Sequence, residues 1–151
     1  MLAALVVGKA IKHIKKKMND LELLVVPNFF RVENEDHDGM YCGKGYLTSR
    51  DYEFDATLHP APADDELLFR NARHLFRDWG SWKGEQFIFG FDSLAQLRRW
   101  IYSNQILTTL HSRGFFLSEM LGEVIVGNTQ AVIFEPTAQR INKKSLLTLL
   151  Q

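Results

Sequence analysis

Apolar residues recur along the chain with two different periods, and the local period distinguishes strands from helices. Short apolar runs predict strands at residues 28–33, 86–91, 115–120, 123–126 and 129–134. Helical spacing predicts helices at residues 64–78, at 94–102 and between Ser103 and Gly114, and an apolar tail at 146–150 is expected to pack against them. Because strands and helices do not strictly alternate, the pattern predicts an α+β fold with a small mixed or antiparallel sheet and three to four helices.

The first eighteen residues have a pattern of their own. Apolar residues recur there at spacings of three to five, and the same segment contains five lysines and no acidic residue. This predicts a basic amphipathic helix over residues 2–18, within an extension of residues 1–20 that precedes a single compact α+β domain at residues 21–151. Such a helix packs on the domain with its lysines in solvent, which is the simpler interpretation, or it lies on an anionic membrane surface or docks onto a partner.

Composition restricts the class of protein. The chain has 151 residues, of which 46% are hydrophobic and 24% charged, which is typical of one globular domain and excludes a disordered or fibrous chain. Eighteen basic and eighteen acidic residues give no net charge, which argues against a general nucleic-acid-binding protein. The single cysteine, Cys42, cannot form an intrachain disulfide, and no apolar run is long enough to span a bilayer, so we expect a cytoplasmic protein.

Sequence motifs for catalysis and metal binding are weak. The sequence has no Gly-x-Gly-x-x-Gly motif between a strand and a helix, and no Gly-x-Ser-x-Gly motif. No two of the five histidines lie within four residues of each other, so we expect no metal site. The tightest polar cluster, His37-Asp38 near Cys42, is interpreted as an exposed loop.

Charged residues are segregated along the chain. Residues 33–66 contain ten acidic residues and two basic ones, whereas the helix that follows carries a row of arginines and precedes two tryptophans. Arginine and tryptophan are the residue types that dominate binding hot spots. The candidate partner-binding residues are Arg70, Arg73, Arg77, Trp79 and Trp82. Ion pairing of the arginines with the chain's own acidic section is the simpler alternative, and phosphate binding is a third.

Four segments resemble a family of small uncharacterised proteins of tailed bacteriophages. They are FRVE at 30–33 with DGMY at 38–41, HPAP at 59–62, FGFDSLAQLRRW at 89–100, and GNTQAVIF at 127–134. The resemblance covers residues 28–140 and leaves the lysine-rich segment outside. It implies a viral protein with an accessory role in the infected bacterium, such as binding and inhibiting a host or defence-system protein.

Arg31, Ser49 and Gln130 follow one another along the chain in an order that resembles the arrangement of site residues in the ADP-ribosyltransferase fold. The resemblance implies that Arg31 holds NAD, that Ser49 belongs to the Ser/Thr patch of those enzymes, and that Gln130 stands where they carry a catalytic glutamate. A neutral amide cannot supply the negative charge that stabilises an oxocarbenium-like centre. On this interpretation Glu123 or Glu135 substitutes for it, or the site is inactive.

The sequence therefore favours a non-enzymatic phage protein that binds a host protein, without a cofactor. The alternative is an NAD-binding, ADP-ribosyltransferase-like enzyme whose site residues would be Arg31, Ser49, Gln130 and Glu135.

Overall fold

A computed structural model describes residues 28–51, 58–76 and 86–151 of the protein. The predicted amphipathic helix at 2–18, and with it the extension of residues 1–20, lies outside the described residues. The structure therefore addresses the part of the chain in which the strands and the other helices were predicted.

Within the described residues, six strands form two antiparallel sheets. In chain order they are β1 Asn28–Glu33, β2 Phe87–Gly90, β3 Phe116–Leu121, β4 Val124–Val126, β5 Ala131–Phe134 and β6 Gln139–Lys144. The first sheet has the order β1-β3-β6 and the second the order β2-β5-β4. The two sheets meet where the backbones of Phe30 and Phe91 exchange two hydrogen bonds of 2.8 Å. The α+β class is confirmed, with antiparallel pairing throughout the described strands.

Three helices are capped by polar side chains that the sequence places just before them. They are α1 Glu66–Asn71, α2 Leu94–Trp100 and α3 Asn104–Ser112. The side chains of Asp65, Ser93 and Ser103 accept hydrogen bonds from the first turns of α1, α2 and α3, respectively. Gly114 follows α3 with a φ of 89°, a conformation that suits glycine after a helix. The predicted beginnings of α2 and α3 and the end of α3 are confirmed.

The core lies on both faces of the two sheets. On one face of the first sheet, Val32 and Leu117 pack against α2 and α3, and the buried Leu146 of the C-terminal tail joins them. On the other face, Phe29 packs against the second sheet. Val132, on the opposite face of that second sheet, packs against α1. The layers therefore run from α1 through the two sheets to α2 and α3.

One predicted helix is shorter than expected, and one strand was not predicted. The helix predicted over 64–78 is an α-helix only over Glu66–Asn71, followed by a short 3₁₀ turn at Arg73–Leu75. The backbone of Ala72 is no longer helical, and the chain continues through the 3₁₀ turn to Phe76, which is extended and buried. Strand β6 was missed because Ile141 is its only apolar residue and five of its six residues are exposed, so no apolar period marks it.

Candidate functional site

A mostly apolar cavity of about 430 Å³ lies between β1, β2 and the loops at 39–42 and 59–62. Its apolar lining includes Met40, Pro60, Pro62, Phe89, Phe91 and Trp100. Among the described residues that line it, Arg31 is the only one with a formal charge. The volume is in the range of small-molecule sites, which is about 300–1,000 Å³.

The His-Pro-Ala-Pro segment forms one wall because His59 anchors it. The His59 ring is fully buried, and its Nε2 is hydrogen-bonded to the carbonyl oxygen of Trp100. The same ring meets the Trp100 indole edge-on, with 4.8 Å between centroids. Pro62 then begins a 3₁₀ turn, where its missing N–H costs no hydrogen bond. This segment is therefore held against α2.

Glycine is required where β2 passes closest to β1. A Cβ atom on Gly90 would lie 2.4 Å from both the Phe29 ring and the Phe30 carbonyl oxygen. Because those contacts are far inside van der Waals distance, only glycine lets β2 form this wall.

Arg31 projects from β1 and is only 9% exposed. Its Nη1 donates to the carbonyl oxygen of Phe89 at 2.6 Å and its Nη2 donates to that of His37 at 3.2 Å. Its Nε lies 3.3 Å from Glu33 Oε1 without forming a hydrogen bond. Burial lowers the pKa of Arg31 because it disfavours the charged form, and the charge of Glu33 opposes that effect.

Glu33, which is fully buried, is the centre of a polar cluster beside the cavity. Arg140 donates from Nε to Oε2 at 2.6 Å and from Nη2 to Oε1 at 2.8 Å, and Ser118 donates to Oε2 at 2.7 Å. Burial alone would raise the pKa of Glu33, but these hydrogen bonds and the charges of Arg140 and Arg31 lower it overall.

The residues of the ADP-ribosyltransferase interpretation do not all come together. Gln130 lines the same cavity as Arg31, and its Nε2 donates to the carbonyl oxygen of Pro60 at 3.0 Å. Ser49 and Glu135 are exposed and are not among the described residues that line the cavity. The alternative carboxylate, Glu123, is exposed as well and is likewise outside that lining.

The structure describes two of the five candidate partner-binding residues. Arg70 lies on α1 with its side chain 69% exposed, and it pairs at 3.5 Å with Glu66, which is still more exposed. Arg73 lies exposed in the 3₁₀ turn that follows. The other three, Arg77, Trp79 and Trp82, lie outside the described residues.

Sequence reasoning missed the role of Asp65. Its carboxylate caps α1 and also accepts hydrogen bonds from the backbone of Asn128 and from both the backbone and hydroxyl of Thr129, each at 2.8 Å. Burial would raise the pKa of Asp65, but these hydrogen bonds lower it overall. The acidic first turn of the helix was the available signal, but it could not reveal a partner more than sixty residues away.

Residues 28–51, 58–76 and 86–151 contain no group of three or more histidine, cysteine, aspartate or glutamate side chains arranged to hold a metal ion. In the same residues, no helix has the length and apolarity that crossing a membrane requires. Cys42 is exposed and carries a free thiol.

Residues 18–147 match the sequence model of the family described as Bacteriophage T4 Y00F protein. No curated protein and no solved structure is significantly similar to the chain. The predicted resemblance to a phage family is confirmed, whereas the resemblance to ADP-ribosyltransferases has no support from these comparisons. The match covers most of the chain, which therefore belongs to the bacteriophage T4 Y00F protein family.

Proposed function

We propose that this phage protein has an accessory role in the cytoplasm of the infected bacterium, where it binds and inhibits a host or defence-system protein. The binding site is the arginine surface, defined here as Arg70 and Arg73, together with Arg77, Trp79 and Trp82 that follow in the sequence. The observation that carries the proposal is the exposure of Arg70 and Arg73, whose guanidinium groups have no buried carboxylate as a partner within residues 28–51, 58–76 and 86–151.

The charges of Arg70 and Arg73 are available to a partner. Among the described residues, Arg70 pairs only with the exposed Glu66, and Arg73 has no ion pair. An ion pair between two exposed side chains contributes little to stability, so a partner's carboxylate can replace Glu66 at small cost. Two adjacent cations suit an acidic surface on the partner, and they would accelerate association by electrostatic steering.

The described part of the arginine surface, Arg70 and Arg73, has a well-packed support. Leu68 of α1 and Ala72, which follows the helix, are fully buried against the second sheet, and Asp65 ties the beginning of α1 to the turn at Asn128. A surface that is already ordered loses little conformational entropy when a partner binds. This support favours recognition of a folded protein surface.

The test uses the full-length chain with an affinity tag in extracts of the phage's bacterial host. A captured protein is identified, purified and titrated calorimetrically against wild-type protein, Arg73→Glu and the matched control Arg99→Glu. Arg99 is also an exposed arginine at the end of a short helix, but it lies on α2. We expect Arg73→Glu to weaken binding at least tenfold and Arg99→Glu to leave it unchanged, with all three proteins equally stable.

Equal affinities of wild type and Arg73→Glu for the captured protein would contradict the assignment of the arginine surface. Inhibition is tested separately, because the activity of the identified partner should fall in proportion to the bound fraction. If the partner keeps its full activity when it is saturated with this protein, the proposed binding stands and the proposed inhibition is wrong.

A further inference from the structure

Arg31, which lines the cavity beside β1, has N–H donors that the proposed role of the arginine surface does not use. A guanidinium carries five N–H donors, and hydrogen bonds to the carbonyl oxygens of Phe89 and His37 account for two of those of Arg31. The Nε is enclosed beside Glu33 and donates to no acceptor among the described residues. Nη1 and Nη2 each carry two N–H groups and each has one acceptor among the described residues, so Arg31 keeps one N–H on each for a ligand in the cavity that it lines.

The positive charge of Arg31 is only partly compensated within the protein. Glu33 is the nearest carboxylate, but both of its oxygens accept short hydrogen bonds from Arg140, and one also accepts from Ser118. Arg31 reaches Glu33 only at 3.3 Å. Glu33 is therefore shared between two arginines, and the charge of Glu135 acts on Arg140, so the arginine that lines the cavity has the weaker compensation. An anion in the cavity would supply the missing charge.

The rest of the lining favours a flat, apolar group. Phe91 and Trp100 lie 5.9 Å apart between ring centroids, and the Trp100 Nε1 donates to the Tyr41 hydroxyl at 2.7 Å, so the indole is fixed in position. Pro60 and Pro62 add rigid apolar surface on another side. Preformed aromatic and proline walls hold a planar ring at little entropic cost.

We propose that the cavity binds a small planar aromatic carboxylate, with its ring against the aromatic and proline walls and its carboxylate accepting hydrogen bonds from Arg31. The guanidinium fork matches a carboxylate in geometry and charge, so it sets the preference for an anion. The apolar walls set the preference for a ring. This site is independent of the arginine surface, and its ligand is a small molecule instead of a protein.

Three probes of similar size separate the preference for an anion from the preference for a planar ring. They are indole-3-carboxylate, which is planar and anionic, indole, which is planar and neutral, and cyclohexanecarboxylate, which is anionic but not planar. Calorimetry gives their affinities for the full-length protein, and NMR follows the Nε1–H of Trp100 to locate the site. We expect indole-3-carboxylate to bind at least tenfold more tightly than either of the other two and to shift the Trp100 signal.

Two variants with controls test the residues. Arg31→Gln should bring the affinity for indole-3-carboxylate down to that for indole, whereas Arg31→Lys should retain part of the preference. Ala61→Trp places a large side chain at an exposed position of the cavity wall and should weaken binding at least tenfold. Ala95→Trp is the matched control, because Ala95 is exposed on α2 and is not part of the described lining.

The proposal is overturned if none of the probes shifts Trp100, or if neutral indole binds as tightly as indole-3-carboxylate. Undiminished binding by Ala61→Trp would also overturn it, and this result remains decisive if Arg31→Gln does not fold. NAD serves as a fourth probe, since tighter binding of NAD than of indole-3-carboxylate would assign the cavity to a dinucleotide instead.

Discussion

Arg140 on β6 holds Glu33 on β1 by two parallel hydrogen bonds, across the intervening strand β3. The carboxylate is fully buried, whereas the arginine side chain is 30% exposed. The pair joins the two edges of the first sheet through side chains, in addition to the backbone pairing of each strand with β3. It also determines how much of the charge of Arg31 remains uncompensated.

Replacing Arg140 should destabilise the protein, because it leaves Glu33 buried with weaker partners. Removing one member of a buried ion pair typically costs about 3–5 kcal/mol. We expect Arg140→Ala to cost less, about 2 kcal/mol, because Arg140 is partly exposed and Ser118 still donates to Glu33. Urea denaturation measures the free energy of unfolding. Lys144→Ala, on the same strand, is the control and should change it little; equal losses in the two variants would contradict the role of Arg140.

Asp65→Ala should separate α1 from the turn between β4 and β5. Loss of a helix cap costs about 1 kcal/mol, and the hydrogen bonds to Asn128 and Thr129 are lost as well. We expect a total of about 2–3 kcal/mol and faster amide hydrogen exchange at Asn128 and Thr129. Asp64→Ala changes the exposed neighbouring acid and should have neither effect. Unchanged exchange at residues 128 and 129 in Asp65→Ala would contradict this role.

The stability of the protein should fall on acidification. The pKa values of Glu33 and Asp65 lie below their ordinary values of 4.5 and 3.8, so the unfolded chain binds protons more readily than the folded one. The stabilisation is complete above the unfolded-state pKa values and is lost as pH falls through the lower, folded-state values. Denaturation at a series of pH values should show a shallower acidic slope for Asp65→Asn than for wild type. An identical slope would mean that Asp65 does not contribute.

Gly90→Ala should be strongly destabilising because the added Cβ would overlap the Phe29 ring and the Phe30 carbonyl group. Gly114→Ala provides the comparison, since it adds a Cβ in open space but at a φ of 89°. That backbone conformation costs a residue with a Cβ about 1–2 kcal/mol. Thermal unfolding should therefore show a much lower Tm for Gly90→Ala than for Gly114→Ala. Similar values would indicate that β1 and β2 can move apart.

Local signals in the sequence were sufficient for much of the fold. Ser93 and Ser103 cap their helices and Gly114 ends one, because capping depends on atoms within a few residues. Strand β6 had no such signal, since an edge strand in which Ile141 is the only apolar residue resembles a solvated loop. The early end of α1 also escaped prediction, because the burial of Phe76 depends on the second sheet.

The candidate site was less predictable from the sequence than the fold, because contacts between residues distant in the chain form it. The resemblance to an enzyme fold pointed to Arg31 and Gln130, and they do line one cavity, but spacing alone could not place residues so far apart side by side. The competing ion pairs of Glu33 were not predictable either, because Arg140 belongs to the strand that was missed. The His-Pro-Ala-Pro segment was recognisable as irregular from its prolines, whereas its position in the cavity wall required His59 to be placed against Trp100.

The pairing of β1 with β3 has a consequence for how the protein is made. Residues 28–33 are synthesised well before residues 116–121, with which they pair, and β6, at residues 139–144, follows later still. The first sheet therefore cannot be completed until more than a hundred residues after β1 have been synthesised and have left the ribosome. Contacts between residues so distant in the chain slow folding, so newly made molecules would present unpaired β1 to chaperones during translation.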